Sequence, residues 1–168
     1  MLDFFLLVCY NDYTKKEREV FKMTIYFDMD GTIANLYGVE NWLDYLIKGD
    51  TTPYDIAKPM INFSALARLI HKMQKIGFKF GIVSWLSKNG SDKYNKAVTE
   101  SKKNWLKKHL PSVVWDEIQI VPYGTPKKNV VSDFDGFLFD DEERNRIEWG
   151  ENSFDVENIL ATLKALMA

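Results

Sequence analysis

The sequence predicts an α/β fold in which a parallel β-sheet is flanked by helices on both faces. Short apolar runs rich in β-branched and aromatic residues alternate with longer amphipathic stretches, which is typical of parallel sheets with helical connections. The 168 residues suit one domain, and the content of 46% hydrophobic and 27% charged residues is ordinary for a globular protein. The net charge of −2 gives no overall positive field, so we expect neither nucleic acid nor a membrane as a partner.

Residues 1–22 are expected to lie outside this domain, which comprises residues 23–168, as an N-terminal appendage or upstream extension. The apolar run at residues 4–8 is much shorter than the roughly 20 residues that cross a bilayer, and Asp3 stands where a secretory signal would be basic. An extra strand or helix docked through this run is the alternative. The only cysteine, Cys9, excludes an intrachain disulfide and fits a cytoplasmic location.

The first half of the domain begins with a strand and continues through a small insertion to a long helix. Residues 24–27 (TIYF) predict a buried strand, because they are apolar and end abruptly at a polar turn. Residues 39–47 predict a short helix within an insertion at residues 35–61. Residues 63–76 place apolar side chains at helical spacing, and Gly77 is a favourable stop for this helix.

The second half continues the alternation, which gives a predicted sheet of four parallel strands. The predicted segments are a strand at 78–85, a helix at 91–110, a strand at 117–121, a helix that starts at Thr125 and Pro126, a strand at 136–139 and a helix at 154–167. The helix that starts at Thr125 is predicted because threonine is a good N-cap and proline suits the first helical position.

Polar side chains lie where the predicted strands end. In chain order they are Asp28 and Asp30, then Ser84, then Lys127, and finally Asp140 and Asp141. Because ligands of open α/β sheets bind beyond the carboxyl ends of the strands, we expect four carboxylates, a hydroxyl and a lysine to meet there. A hard divalent cation such as Mg²⁺ would relieve the mutual repulsion of the carboxylates. Such a site can receive a phosphate, which one carboxylate can attack.

Asp28 and Asp30 are spaced for two different tasks. In an extended chain, residues two apart point to the same side, so one can attack phosphorus while the other moves protons to the leaving group. Gly31 permits the sharp turn that follows. The alternative is that both aspartates are ordinary turn residues after a strand, where aspartate is common.

At these positions the sequence resembles the four motifs of the haloacid dehalogenase-like (HAD) superfamily, and the resemblance extends over residues 23–165. It implies a three-layer, Rossmann-like domain with a minimal cap, the insertion at 35–61, and Mg²⁺ as the cofactor. The segment DMDGTIAN and the closing acidic pair are similar to the 5′(3′)-deoxyribonucleotidase branch. A second acid two residues after the first is typical of phosphatases of this family. The dehalogenase members lack that acid, so dehalogenation is excluded.

The resemblance also implies roles for individual residues. Asp28 would be the nucleophile and Asp30 the general acid/base. The residues implied in phosphate binding are Gly31, Thr32, Ser84, Trp85 and Lys127. The residues implied in metal binding are Asp28, Asp30 (through its backbone carbonyl), Asp140 and Asp141, with Asp141 as the chief ligand. Lys127 is preferred to the adjacent Lys128, because it would lie in the first helical turn and point back to the strand ends.

Other residues receive more ordinary expectations. The lysines of the long helix are expected to form a solvated face, with contact to nucleic-acid phosphates as the alternative; they are Lys102, Lys103, Lys107 and Lys108. His109 ends this helix, where a partial positive charge suits the helix dipole. The aromatic residues of segment 37–54 are expected to pack, with stacking on a nucleotide base as the alternative.

The predicted function is that of a Mg²⁺-dependent phosphomonoesterase that works through an aspartyl-phosphate on a small phosphorylated substrate. A nucleotide is the first choice, and a sugar phosphate or a nucleic-acid 3′-phosphate is the alternative. A phospho-accepting receiver domain uses similar side chains, but there the acidic pair comes first in the chain rather than last. A non-catalytic binding module on the same fold is the third possibility.

Overall fold

The structure, a computed structural model, describes residues 23–167, so the expectations for residues 1–22 lie outside the described part of the chain. The strands are β1 (Thr24–Phe27), β2 (Ala34–Asn35), β3 (Lys58–Pro59), β4 (Lys79–Trp85), β5 (Glu117–Val121), β6 (Phe137–Phe139) and β7 (Ser153–Phe154). The helices are α1 (Trp42–Ile47), α2 (Thr52–Ile56), α3 (Phe63–Lys75), α4 (Asp92–His109), α5 (Glu143–Trp149) and α6 (Ile159–Ala165).

Five of these strands form one parallel sheet in the order β5-β4-β1-β6-β7, with β1 at its centre. Phe27, at the end of β1, pairs in register with Ile82 of β4 and Phe139 of β6. The carboxyl ends of β1 and β6 therefore lie side by side, whereas β4 continues for three more residues, to Trp85. The residues that follow β1 and β6 thus meet the last residues of β4 at one edge of the sheet. The predicted α/β fold with a parallel central sheet is confirmed.

The core joins this sheet to the helices through aromatic and aliphatic side chains. A row of rings crosses the sheet, because Phe27 stacks on Phe80 and Phe139 with ring centroids 6.3 and 5.3 Å apart. Helix α3 adds Leu66 and Ile70 to the same core, and both are fully buried. Full burial of one such side chain contributes roughly 1.5–3 kcal/mol. The apolar stripe of α3 is therefore buried in the core, as its spacing in the sequence predicts.

The two long helices begin at side-chain caps. The Asn62 carbonyl oxygen accepts the Ala65 N–H at the start of α3, and the Ser91 hydroxyl accepts the Tyr94 N–H at the start of α4. Each cap satisfies an N–H that has no partner inside its helix. Both helices lie within one residue of their predicted bounds.

Several observed elements differ from the predicted ones, and the pair β2–β3 and helix α2 of the insertion were not predicted. Strand β7 and helix α5 were not predicted, and the predicted helix at 154–167 begins only at Ile159. Phe154 belongs to β7 because its ring packs against Phe137 and Phe139 of the neighbouring strand, at 5.8 and 5.4 Å. The helix predicted from Thr125 and Pro126 is a single 3₁₀ turn, Lys127–Asn129, since Pro126 has an extended ψ of 114°.

The small insertion between β1 and α3 consists of the antiparallel pair β2–β3 and the helices α1 and α2. It rests on α4 through two hydrogen bonds: the Tyr94 hydroxyl donates to the Asp50 carbonyl at 3.2 Å, and the Trp105 indole N–H donates to the Ala57 carbonyl at 2.7 Å. The insertion is thereby anchored close to the end of β1. Within residues 23–167, no helix has the length and apolar character needed to cross a membrane.

Candidate active site

The loop after β1 carries the first two acidic residues. Asp28 is buried, and its N–H donates to the Phe139 carbonyl at 2.9 Å, which ties the loop to β6. The carbonyl of Met29 accepts the N–H groups of the three residues 32–34 and so closes a tight turn. Gly31 has a φ of +79°, in the region that favours glycine. A Cβ at Gly31 would also collide with the side chains of Asp141 and Tyr37, so the turn requires glycine.

Lys127 joins two of the predicted acidic residues. Its Nζ donates to Asp28 Oδ1 at 2.7 Å and to Asp140 Oδ2 at 2.6 Å, and all three side chains are buried. Burial opposes the charge of Lys127, but the carboxylates of Asp28 and Asp140 outweigh it and raise the pKa of the ammonium group. Lys128 lies elsewhere and donates to the Trp149 carbonyl at 2.9 Å. Of the two adjacent lysines, Lys127 is therefore the one at the strand ends.

Asp140 is surrounded by hydrogen-bond donors. Its Oδ1 accepts the Glu142 N–H, its Oδ2 accepts Lys127, and the Asn145 amide donates to both oxygens, at distances of 2.6–3.1 Å. Arg146 donates to the backbone carbonyls of Asp140 and Asp141 at 2.7 and 2.8 Å. Even so, burial and the negative charge of Asp28 raise the pKa of Asp140 to about 6.

Sequence reasoning missed Asn145 and Arg146, because it did not predict helix α5. The signal was present in the spacing: both residues follow the acidic pair by about one helical turn, so a helix there returns their side chains to the end of β6. Seven residues with four charges give no apolar periodicity from which to recognise such a helix.

Thr32 links Asp141 to the loop after β1. Its hydroxyl donates to Asp141 Oδ1 at 3.2 Å and accepts the Asp141 N–H at 3.2 Å, and it lies 3.5 Å from Asp28 Oδ2. Burial, together with the negative charges of Asp28 and Asp140, raises the pKa of Asp141 to about 7. An adjacent cation would reverse this rise, because it favours the ionised carboxylate.

The acidic residues fit a hard divalent cation. Carboxylate oxygens of Asp28, Asp140 and Asp141 all lie within 4.8 Å of one another. Both oxygens of Asp140 already accept protein hydrogen bonds, whereas Asp141 Oδ2 accepts none within residues 23–167. The backbone carbonyl of Asp30 is also without a donor in this part of the chain. The donor set of carboxylate and carbonyl oxygens is the one that Mg²⁺ prefers.

A second buried lysine, Lys102, holds Asp30. Its Nζ donates to Asp30 Oδ2 at 2.8 Å, to Ser84 Oγ at 2.9 Å and to the Trp85 carbonyl at 2.6 Å. The side chain is only 1% exposed and lies over the Tyr54 ring at 5.3 Å. The expectation that Lys102 belongs to a solvated face is therefore wrong, because α4 turns this residue toward the site.

Lys102 could have been recognised from the periodicity of α4. It follows the buried Val98 by four residues and precedes the buried Trp105 by three, so it lies on the apolar stripe and not on the lysine-rich face.

The charges of the site do not balance within the protein. When all six groups are ionised, the four carboxylates of the acidic residues exceed the two buried ammonium groups by two negative charges. One divalent cation would neutralise this excess.

Asp30 and Ser84 are both oriented by this lysine. Burial raises the pKa of Asp30, and the positive charge of Lys102 acts against the rise. Because Lys102 occupies a lone pair of Ser84 Oγ, the hydroxyl hydrogen of Ser84 remains able to donate to another acceptor. Asp30 and Ser84 thus share one buried cation at the ends of neighbouring strands.

Trp85 is placed beside Lys127, but its indole N–H is already used. The N–H donates to the Thr125 carbonyl at 2.8 Å, and the ring lies 5.3 Å from Lys127 Nζ and 4.8 Å from Arg144 Cζ. The Gly31 N–H is used as well, since it donates to the Ala34 carbonyl at 2.9 Å. Neither group can donate to a ligand unless its present bond is broken.

The structure also bears on two predictions outside the acidic cluster, those for the aromatic residues of segment 37–54 and for His109. Tyr37 is half exposed and packs edge-on against Trp42, with ring centroids 5.0 Å apart, whereas Tyr54 is buried. His109 packs against Trp105 at 4.5 Å, and burial followed by the charge of Lys108 lowers its pKa. The lowered pKa disfavours the charged imidazole, so Lys107 and Lys108 supply the positive charge at this helix end.

Comparison with known proteins bears on the fold. No protein-family model matches the chain, and no curated protein matches it. Among solved structures, the crystal structure of D,D-heptose 1,7-bisphosphate phosphatase from Burkholderia thailandensis is similar, with a TM-score of 0.54 and 11% sequence identity over 88% of this chain and 99% of that chain. The chain shares the fold of that phosphatase. Its own activity has to be argued from the residues at the strand ends.

Proposed function

We propose that the chain is a Mg²⁺-dependent phosphomonoesterase that works through a phosphoryl group on Asp28. One observation carries the proposal: Lys127 bridges Asp28 and Asp140 at the carboxyl edge of the sheet, with Asp141 close by. The similarity of fold to a phosphatase supports the same conclusion. A turn residue without function would not need a buried lysine between two carboxylates, since such an arrangement costs desolvation energy.

The first half of the proposed reaction transfers the phosphoryl group to the protein. The Asp28 carboxylate attacks phosphorus, the bond between phosphorus and the ester oxygen breaks, and Asp30 gives a proton to the departing alcohol. The raised pKa of Asp30, caused by burial, suits a carboxyl group that has to carry this proton. Lys127 balances the charge of Asp28 and of the phosphoryl oxygens.

The second half releases phosphate. Asp30 takes a proton from water, the water oxygen attacks phosphorus, and the bond to Asp28 breaks to give inorganic phosphate and the free carboxylate. Lys102 keeps Asp30 in place for both proton transfers. Mg²⁺ bound by the carboxylates of Asp28 and Asp141 and the Asp30 carbonyl would supply further neutralisation of the phosphoryl oxygens.

Several donors are available for the phosphoryl oxygens. The backbone N–H groups of Met29 and Asp30 have no acceptor in the described residues and directly follow Asp28. The hydroxyl of Ser84 is free to donate because Lys102 binds its oxygen. Thr32 serves by bracing Asp141. Together with Lys127 these groups would hold the phosphoryl group against Asp28.

The proposed substrate is a small phosphorylated molecule in the cytoplasm. The insertion at 35–61 is small, so it leaves room for different leaving groups. The half-exposed Tyr37 supports a nucleotide, whereas the bisphosphorylated sugar named for the similar structure supports a sugar phosphate. A nucleic-acid 3′-phosphate is the third substrate class.

The test is a phosphatase screen with and without Mg²⁺ over nucleoside monophosphates, sugar phosphates and 3′-phosphorylated oligonucleotides. We expect Mg²⁺-dependent turnover of p-nitrophenyl phosphate by the wild-type protein and at least one natural class. We expect no turnover by Asp28→Asn, because an amide is a poor nucleophile. Full activity of this variant would refute the mechanism. A phosphorylated protein that persists for minutes would instead favour a phospho-accepting domain.

A further inference from the structure

An aromatic and cationic cluster borders the candidate active site. It consists of Trp85, Tyr123, Arg144 and Lys88, and we call it the rim cluster. The rings of Trp85 and Tyr123 lie with centroids 4.9 Å apart at an angle of 55°. Arg144 Cζ lies 4.8 Å from the Trp85 centroid and 6.0 Å from that of Tyr123, and Lys88 Nζ lies 5.7 Å from that of Tyr123.

The two cations of the rim cluster have no acidic partner. Within residues 23–167, neither Arg144 nor Lys88 forms an ion pair or a side-chain hydrogen bond, although Arg144 directly follows two glutamates. By contrast, Arg146, two residues further along, pairs with Asp155 at 3.1 Å. Contact with ring faces stabilises a cation only modestly at an exposed site and does not neutralise it. Both charges therefore remain available to an anion.

The rim cluster is close enough to the phosphate site to hold another part of the same molecule. Lys127 Nζ lies 5.3 Å from the Trp85 centroid and Arg144 Cζ lies 4.8 Å from it, so the two cations are at most about 10 Å apart. Three side chains of the rim cluster are accessible, since Arg144 and Lys88 are exposed and Tyr123 is 46% exposed.

We infer that Arg144 and Lys88, presented by Trp85 and Tyr123, form a subsite for a second phosphate of the substrate. The inference rests on the proposed phosphatase function and narrows it to phosphomonoesters that carry a further phosphate group. An anion fits better than a stacked base, because Lys88 and Arg144 already lie over the ring of Tyr123. A guanidinium group also offers paired N–H donors to phosphate oxygens, and an unpaired one is well suited to that contact.

The test compares substrates that differ only in the second phosphate. Ribose 5-phosphate is paired with ribose 1,5-bisphosphate, and adenosine 5′-monophosphate with adenosine 3′,5′-bisphosphate. The variants are Arg144→Ala and Lys88→Ala, and the matched control is Arg68→Ala, which changes an exposed arginine of α3. We expect the wild-type protein to prefer the bisphosphate of at least one pair by about tenfold or more in kcat/KM, mainly through KM.

The ratio of kcat/KM values within a pair is the decisive quantity. We expect Arg144→Ala to reduce it about tenfold, Lys88→Ala to reduce it less, and Arg68→Ala to leave it as in the wild type. A wild-type ratio near one, or a ratio that Arg144→Ala leaves unchanged, would overturn the inference. The wild-type protein could instead prefer both nucleotides to both sugars, with the preference abolished by Tyr123→Ala. That result would also overturn the inference of a phosphate subsite and would indicate base stacking.

Calorimetric titration separates failure of the subsite from failure of the proposed reaction. The same pairs are titrated into Asp28→Asn, with and without the Arg144→Ala change. Tighter binding of the bisphosphate that depends on Arg144 supports the subsite even if no substrate is turned over. Equal affinities within each pair contradict the subsite even if the wild-type protein is an active phosphatase.

Discussion

Lys127 and Lys102 are both buried at the carboxyl edge of the sheet, but they hold the acidic residues in different ways. Lys127 comes from a short 3₁₀ turn and lies between two carboxylates, those of Asp28 and Asp140. Lys102 comes from the middle of an 18-residue helix and has one carboxylate partner, Asp30, beside two neutral oxygen acceptors. Lys127 therefore compensates the charges of Asp28 and Asp140, whereas Lys102 mainly positions Asp30 and Ser84.

This difference predicts unequal roles in stability and turnover. Removal of Lys127 leaves two buried carboxylates facing each other, whereas removal of Lys102 leaves one partly accessible carboxylate and two neutral acceptors. Breaking a buried ion pair by removal of one partner costs roughly 3–5 kcal/mol. The loss of folding stability should be larger when Lys127 is removed, because the carboxylates of Asp28 and Asp140 then repel each other directly.

The largest effect is expected for Lys127→Met. Without the ammonium group, the midpoint of thermal unfolding should fall by roughly 10 °C or more, and kcat for p-nitrophenyl phosphate should fall at least 100-fold. Unfolding followed by circular dichroism and steady-state kinetics measure the two effects. The control is Lys128→Met, which removes only a bond to the Trp149 carbonyl and should keep most of both quantities. Equal losses in the two variants would contradict the role given to Lys127.

A smaller effect, confined mainly to kcat, is expected for Lys102→Met. The three N–H groups of Lys102 are all used by Asp30, Ser84 and the Trp85 carbonyl, so this lysine does not contact substrate directly. We expect kcat to fall by up to about 100-fold through the misplaced general acid, with a smaller rise in KM because Ser84 also loses its partner. The control is Lys107→Met on the exposed face of α4. A change in KM with kcat intact would show that Lys102 acts on phosphate binding through Ser84 and does not position Asp30.

The smallest expected effect is the pH dependence of stability without metal. Asp140 and Asp141 have pKa values raised from 3.8 to about 6 and about 7, so the folded protein binds protons that the unfolded chain releases. Their favourable contribution is complete below about pH 4 and is lost as pH rises through 6 and 7. We expect the unfolding midpoint of the metal-free protein to fall by roughly 5 °C between pH 5 and 8.

The same unfolding midpoints measured with added Mg²⁺ and in the variant Asp141→Asn test whether these carboxylates cause the pH dependence. Millimolar Mg²⁺ should raise the unfolding midpoint more at pH 8 than at pH 5.5, because protons compete with the cation for the same carboxylates. Asp141→Asn should remove much of the fall with pH and much of the response to Mg²⁺. A metal-free protein that becomes more stable as pH rises through 7 would contradict the electrostatics described for this pair.

The sequence was sufficient for those parts of the site that depend on strand order and local motif. Asp28 and Asp140 directly follow apolar strands, Asp30 comes two residues after Asp28, and Ser84 lies at the end of β4. The rule for parallel sheets therefore already places them at one edge. Lys102 was assigned to solvent because it lies among other lysines, although its spacing from Val98 and Trp105 places it on the buried stripe. In that case the composition of the segment was given more weight than its periodicity.

Other elements depend on contacts that sequence patterns do not contain. Strand β7 has two residues and is defined by pairing with β6, where Phe154 finds its aromatic neighbours. Helix α5 is stabilised by Asn145 and Arg146 at the acidic pair rather than by an apolar stripe. Both elements form because tertiary contacts outweigh weak local preference.

Detection of the phosphoryl group on Asp28 tests the central claim most directly. The wild-type protein is mixed with Mg²⁺ and p-nitrophenyl phosphate, quenched in acid during turnover and digested with trypsin, which releases Asp28 in the peptide of residues 23–48. Mass spectrometry should find this peptide heavier by one phosphoryl group, with fragmentation assigning it to Asp28, and should find no addition in Asp28→Asn. Rapid turnover without a phosphorylated peptide, or with the group on another residue, would contradict the account.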